Sequence, residues 1–333
     1  MNSKEAISRT IEVLRRQHKS IATEQAYLHW LGRYIQALRH IPDTLTSEQK
    51  LERFLTDLAL NQNVSSSTQN QAFNAVLFFY KDVLGVELKN VQALRAQRPA
   101  QMRHAPTVAE TRSLIAEIRD VGGYPVNLIV RMLYGCGLRV SEPLNLRIKD
   151  VDLDNGRLYL KGAKGGKDRV VALPCSLNEE LRSQMDYCRA VWKRDCLARI
   201  PLEIPGQLAR KYPEYRFSWS WAWMFPQRHP CKHPRTGELV RYHVHEANVQ
   251  QGVKEARRKL GIMVLPHELR HAYATHSLEN GVNLKALKEA MGHASFETTM
   301  GYCHADALSV RSPLDQLAAN ETSSPSRRPA LRS

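Results

Sequence analysis

The feature that most restricts the fold is a change of period along the chain. Residues 1–94 place their apolar side chains at helical spacing, with no strand alternation. A short helix is predicted around Ile11 to Gln17 and a longer one over Ala26 to Leu38, where Tyr27, Leu31, Tyr34, Ile35 and Leu38 form one stripe. Ser47 is a candidate cap for a helix carrying Leu51, Phe54, Leu55 and Leu58. The run Ser65 to Thr68 precedes another, with Phe73, Val76, Leu77 and Tyr80. Period then disappears over residues 95–106, which are basic and hold Pro99 and Pro106. This stretch reads as a linker, a solvated hinge suited to lying along a charged backbone.

From Thr107 the pattern resumes and mixes. Thr107 and Glu110 have the spacing of a capping box ahead of Leu114, Ile115 and Ile118. A helix through Leu128 to Tyr134 should stop near Gly135 and Gly137. Arg157 to Lys161 and Arg169 to Leu173 read as strands joined by a Gly-rich turn. Ser176 and Glu179 form a second box opening a helix to about Lys193. Further helices are predicted at about 244–260, 267–279, 283–291 and 296–304. The segment 195–242 is rich in Pro and aromatics. Its Phe217, Trp219, Trp221, Trp223 and Phe225 alternate with other residues, as in a strand with one aromatic face. The expected fold is mainly α with a small antiparallel β-sheet. It divides into an all-α N-terminal domain (1–94), a linker (95–106) and a mixed α+β domain (107–317) with an insertion at about 195–242. The Ser-, Pro- and Arg-rich residues 318–333 are expected to be disordered.

Charge narrows the partners. The 333 residues include 48 Lys and Arg against 33 Asp and Glu, a net charge of +15. Such a balance points to a polyanion, either nucleic acid or an anionic membrane surface. A spanning helix needs about 20 apolar residues, and no such run exists. The start, Met1 to Glu5, lacks the apolar stretch of a secretion signal. The six cysteines (Cys136, Cys175, Cys188, Cys196, Cys231, Cys303) are scattered, with no CxxC pair. The expectation is a cytoplasmic protein with no membrane partner.

Three familiar patterns fail on spacing. His267-Glu268-Leu269-Arg270-His271 fits HExxH, but His276 lies nine positions after His267 where the extended zinc pattern wants ten, and Ala274 replaces its glycine. His229, Cys231 and His233 fit no common zinc spacing. Gly162 to Lys167 has three residues between its glycines where a phosphate loop needs four, and Asp168 follows the lysine. No metal or other cofactor is expected.

A different set stands out in chain order: Arg139 in Gly135-Cys-Gly-Leu-Arg139-Val-Ser-Glu142, Lys164 in the hairpin turn, His267 and Arg270 at i, i+3 on one helix, His293 after Gly292, and Tyr302. Singly, each has a plain reading as a surface ion pair, a solvated turn or a packing residue. Together the strings Tyr134 to Glu142, Ala163 to Arg169, His267 to His276, Met291 to His293 and Thr298 to Tyr302 resemble the tyrosine recombinase (phage integrase) family. Thr23 to Trp30 and the insertion, with Leu208 to Pro213 and Ser220 to Pro226, are similar to the integron integrase subgroup. Pro143 and Cys303 depart from the usual pattern without removing a catalytic group.

The resemblance implies a site-specific DNA recombinase, bacterial and nucleoid-associated, with an N-terminal DNA-binding domain and a tyrosine-recombinase catalytic domain. It acts through a 3′-phosphotyrosine intermediate, independent of metal and ATP. Tyr302 is then the nucleophile, His267 its proton acceptor and Lys164 the general acid. Arg139 and Arg270 stabilise phosphate charge, each worth about 3–4 kcal/mol on the scale of one oxyanion donor. His293 hydrogen-bonds the phosphate, and Glu142 orients Arg139 or a neighbouring histidine. The implied assembly is a homotetramer on DNA. The implied substrates are a duplex attachment site and a folded single-stranded cassette site, with Trp221, Tyr242 and His243 as candidate DNA contacts. An aromatic face could equally form a local core. The alternatives are a phage- or Xer-like enzyme confined to duplex sites and a catalytically dead DNA-binding regulator.

Overall fold

The computed structural model describes residues 2–92, 105–161 and 168–292. The chain divides into two compact units, one up to Arg103 and one from His104. Most of the expected linker, the turn bearing Lys164, the helix expected at 296–304, His293, Tyr302 and the tail 318–333 lie outside the described residues.

Among the described residues the regular elements of the first unit are helices: α1 (Ser3–Arg16), α2 (Ile21–Leu38), α3 (Ser47–Leu60) and α4 (Ser66–Phe78), the last continued by a π-helical turn, Phe79–Val83. Polar side chains start all four of these helices. Ser20 accepts from the Thr23 N–H, Thr46 from Gln49 and Ser65 from Thr68. Thr46, not Ser47, caps α3, because the Gln49 amide closes a reciprocal box with the Thr46 N–H. The helix expected at Ile11 begins at Ser3, where Asn2 accepts from the Glu5 N–H. Helical spacing turns Leu14, Leu31, Leu51, Leu55, Leu58 and Val76 into one core. Inside it the Tyr34 and Tyr80 hydroxyls meet at 3.0 Å, which satisfies both buried groups.

The second unit opens with α5 (Val108–Glu117), whose Thr107–Glu110 capping box is formed as expected, and α6 (Val126–Gly135). The short turn α7 (Ser141–Leu144) leads to β1 (Val151–Asp152), β2 (Arg157–Leu160) and β3 (Arg169–Ala172). These make an antiparallel sheet in the order β1-β2-β3, with Leu160 opposite Arg169. Leu158, Leu160 and Val171 face the core, whereas Tyr159 and Val170 are exposed. Helix α8 runs from Asn178 to Leu197. The Ser176–Glu179 box is absent, because Cys175–Leu177 form a 3₁₀ turn and the helix starts beyond them. A short α9 (Gly206–Lys211), a two-stranded ribbon of β4 (Cys231–Lys232) and β5 (Leu239–Val240), and α10 (Glu246–Leu260), α11 (Pro266–Glu279) and α12 (Leu284–Met291) complete it.

The expected aromatic strand is not a strand. Pro213–Phe217 and Trp219–Trp221 are 3₁₀ turns, whose backbone bonds (Trp221 N–H to Ser218 O, Ala222 N–H to Trp219 O) are local. Beyond these turns the Met224 N–H donates to the Leu146 carbonyl and the Ala222 carbonyl accepts from the Ile148 N–H, an isolated antiparallel bridge of Trp223 with Arg147 that does not extend into a strand, and the rings separate. Trp219 packs on Trp192 of α8, and Trp221 stacks on Tyr215 at 5.1 Å. Trp223 and Phe225 enter the core of the whole unit, together with Leu202 and Ile204. The buried pair Arg241–Asp195 ties this segment to α8, with Arg241 Nη1 also donating to the Gln227 carbonyl.

Candidate active site

Two elements bring the first pair of arginines together. Helix α6 ends at Gly135, and Gly137 follows with φ of +61°. A Cβ on Gly137 would lie 2.3 Å from the Tyr273 ring of α11, so only glycine lets the two elements close this far. The Gly137 carbonyl accepts from Arg270 Nη1 at 2.7 Å, and the Met291 carbonyl at the end of α12 accepts from Arg270 Nη2. Arg270 is thereby fixed in the interior, 2% exposed.

Arg139 follows two residues after Gly137 and is a quarter exposed. Its backbone N–H donates to Glu142 Oε2 at 2.8 Å and its Nη1 to Oε1 at 2.9 Å. Arg270 Nη1 stands 3.8 Å from Glu142 Oε2. Arg169, on β3, grips the same carboxylate with both nitrogens, at 2.9 and 2.7 Å. Burial alone would push the Glu142 carboxyl up. Hydrogen bonds from Arg169 and the Arg139 N–H, with the charges of Arg169 and Arg270, outweigh it and hold the group below its ordinary range. Three guanidinium groups around one carboxylate leave a net positive site, which suits a phosphate.

Helix α11 starts with Pro266 at its first position. Glu268 accepts from the Leu265 N–H at 2.7 Å, so the acidic residue of the HExxH string caps its own helix. His267 is exposed in the first turn, and its ring meets His271 at 4.7 Å. Among the described residues no group of three His, Cys, Asp or Glu side chains is placed to hold a metal. Gly292 ends α12 in the left-handed conformation, φ +62°, as its sequence position predicts. The structure thus brings Arg139, Glu142 and Arg270 together and sets His267 one turn before Arg270. Lys164, His293 and Tyr302 lie outside the described residues.

A groove of 760 Å³ is lined by Arg139, Glu142, Lys161, Lys149, Trp221 and Tyr242, among others. Arg147 lies over the Trp223 ring at 3.0 Å and donates to the Trp221 and Glu203 carbonyls. Lys149 covers the Trp221 ring at 2.6 Å from its centroid. Burial, reinforced by Lys161, lowers the Lys149 amine to about 8. Tyr242 and His243 lie 4.2 Å apart, ring to ring, and His243 Nδ1 donates to the Val244 carbonyl at 2.7 Å. Arg147, Lys149 and Arg169 were not legible as site residues. Of these only Arg169 carried a signal, its place in the string from Ala163 to Arg169.

Residues 107–308 match the phage integrase family, and residues 7–90 match the phage integrase N-terminal SAM-like domain. The chain belongs to the phage integrase family. It is a tyrosine-type site-specific recombinase, an enzyme that cuts and rejoins DNA. An integrase/recombinase of Escherichia coli is 38% identical over 325 residues, covering 95% of each chain. The tyrosine recombinase XerA of Pyrococcus furiosus is 30% identical over 306 residues, covering 90% of this chain and 88% of the relative. Two solved structures share the fold of this tyrosine recombinase. The Tn1549 transposon integrase in complex with transposon right end DNA has a TM-score of 0.60 at 16% identity, over 94% of this chain and 99% of that one. A lambda integrase tetramer bound to a Holliday junction also has a TM-score of 0.60, at 14% identity, over 90% and 76%. Among the described residues, no helix of the recombinase is long and apolar enough to cross a membrane.

Proposed function

We propose that this recombinase integrates and excises integron gene cassettes, joining a duplex attachment site to a folded single-stranded cassette site. The observation that carries the reading is the groove that links the Arg139–Glu142 pair to Trp221 and Tyr242. It combines cations with aromatic side chains, which match the phosphates and the unstacked bases that an unpaired strand presents. Local packing buries Trp223 and Phe225, whereas Trp221 stays half-exposed on the groove, with Tyr215 stacked on its ring and Lys149 over it. The bacterial, nucleoid-associated cytoplasm is the setting such a substrate requires.

In this reading Tyr302 attacks the scissile phosphorus and gives its phenolic proton to His267. The P–O5′ bond breaks, and the leaving oxygen takes a proton from Lys164. The product is a 3′-phosphotyrosine and a free 5′-hydroxyl, so the bond energy is kept for rejoining. Arg139, Arg270 and His293 hold the phosphate oxygens as charge develops. Four copies on two sites exchange strands in turn, without ATP. Each copy binds DNA through its N-terminal domain, about 1–94, and its catalytic domain, about 107–317.

Covalent trapping on nicked suicide substrates, one duplex and one folded single strand, tests both halves of the proposal. The wild type should form an adduct on each, and Tyr302→Phe on neither. Trp221→Ala should lower affinity for the folded strand by the equivalent of about 1–3 kcal/mol per stacked base, with duplex affinity unchanged. Adducts on the duplex alone would favour the second reading, an enzyme of the Xer kind, to which the XerA relatives point. No adduct on either substrate would sink both readings and leave a DNA-binding regulator.

A further inference from the structure

Glu142 offers two oxygens to three guanidinium groups. Arg139 reaches it with one side-chain nitrogen and its backbone N–H, and Arg270 approaches at 3.8 Å. Arg169 alone meets it fork to fork, on both oxygens. That bidentate pairing is the strongest a carboxylate and a guanidinium form. Arg169 therefore holds the arrangement that the Arg139 side chain would otherwise adopt with Glu142. A phosphate is recognised by the same fork.

Arg169 is itself held rigidly. Its side chain is 7% exposed. Its Nε donates to the Ala290 carbonyl at 2.9 Å, one residue before the carbonyl that accepts from Arg270 Nη2. A Cβ at position 292 would come within 3.0 Å of Arg169 Cδ and 3.2 Å of its Nη1, so Gly292 leaves room for the side chain to pass. Arg169 thus joins β3, the end of α12 and the carboxylate beside Arg139.

We infer that Arg169 is a positioning residue: by holding Glu142 fork to fork it limits that carboxylate to one side-chain nitrogen of Arg139, which lines the groove, and leaves the rest of the Arg139 fork for the phosphate. The inference rests on the proposed assignment of Arg139 to the phosphate. Without Arg169, Glu142 turns fully onto the Arg139 side chain and competes with the substrate. A lysine keeps the charge but supplies neither the fork nor the directed bond to Ala290.

The test uses the full chain carrying Arg169→Met, Arg169→Lys, or Glu142→Gln combined with Arg169→Met. Duplex affinity, melting midpoint and the single-turnover rate of adduct formation at saturating protein are measured on the nicked duplex. Both single variants should bind duplex as the wild type does and form adduct about 100-fold more slowly, the scale of an ångström-level misplacement. The double variant should recover about tenfold over Arg169→Met, because a neutral amide draws less on the arginines. An unchanged rate in Arg169→Met, or an equal defect in the double variant, would overturn the inference. So would a loss of rate that merely follows the loss of melting midpoint. A crystal structure of Arg169→Met, or of Arg169→Lys if the former does not fold, gives a reading that needs no catalysis. Glu142 should hold two side-chain nitrogens of Arg139, where it now holds one, and an unmoved Glu142 overturns the inference. A wild type that forms no adduct would instead count against the catalytic roles of the preceding section, with the carboxylate's position still deciding this one.

Discussion

At the scale of single residues, burial sorts the candidate DNA contacts by what they can contribute. Burial lowers the His243 imidazole to about 4, against the pull of its Val244 carbonyl, with Arg147 and His245 adding to the lowering. His243 is therefore neutral at physiological pH and offers a ring face, not a charge. The sign of its effect on stability follows. The folded value lies below the ordinary 6.5, so the fold favours the neutral form. That contribution is complete above about pH 6.5 and is lost as the pH falls towards 4. The wild type should lose up to ~3 kcal/mol through this window that His243→Gln does not lose. Unfolding in urea at pH 7, 5.5 and 4.5 checks it, and parallel profiles for the two proteins would refute it. Arg139, Glu142 and Arg270 were legible as a set because each sits in a short string of fixed spacing. The roles of Arg147, Lys149 and Arg169 were not. Each depends on which distant carbonyl, ring or carboxylate it meets, and no local pattern encodes that.

At the scale of elements, helices were read well and the aromatic segment was not. A helix's stripe repeats over many residues, so α2, α3, α10 and α11 survive errors of a few positions at their ends. Their starts were blurred because neighbouring serines and threonines compete to cap, as Thr46 and Ser47 do. The segment 217–225 satisfies a period of two, yet its first half closes local 3₁₀ bonds and its second half makes an isolated bridge to Arg147, so no continuous strand forms. Alternation alone does not distinguish these outcomes when Trp side chains follow Ser and Ala. The junction of α6 with α11 supplies an element-scale prediction. Gly137→Ala places a Cβ against the Tyr273 ring in a backbone conformation that only glycine adopts easily. It should cost about 1–3 kcal/mol of stability, read from urea unfolding. It should also slow adduct formation, because the Gly137 carbonyl anchors Arg270. A variant with wild-type stability and rate would show that the two elements are not held by this contact.

At the scale of the whole molecule, charge is spread unevenly. Residues 1–100 hold 13 Lys and Arg against 9 Asp and Glu, and residues 101–333 hold 35 against 24. Most of the excess therefore belongs to the second part of the chain, which also carries the arginine cluster and the groove. If this charge grips DNA, affinity for the duplex should fall linearly in a log–log plot against salt. The slope should be about −0.9 for each phosphate neutralised on duplex and about −0.7 on a single strand. Fluorescence anisotropy between about 50 and 200 mM salt measures it, and an affinity flat over that range would contradict the role given to the +15 balance.

What the sequence determined by itself was the helical class of the first unit, the small antiparallel sheet, the family and the identity of the arginine pair. Each follows from repetition or from fixed spacing, which a linear chain displays openly. The tertiary structure alone decided that one carboxylate serves three arginines, that Arg169 closes the site from the sheet, and that Trp221 shares a groove with Arg139. These depend on contacts between positions 27 to 133 residues apart. Long-range contacts of that kind are set by packing, where the position of a backbone carbonyl or a missing Cβ matters as much as any side chain.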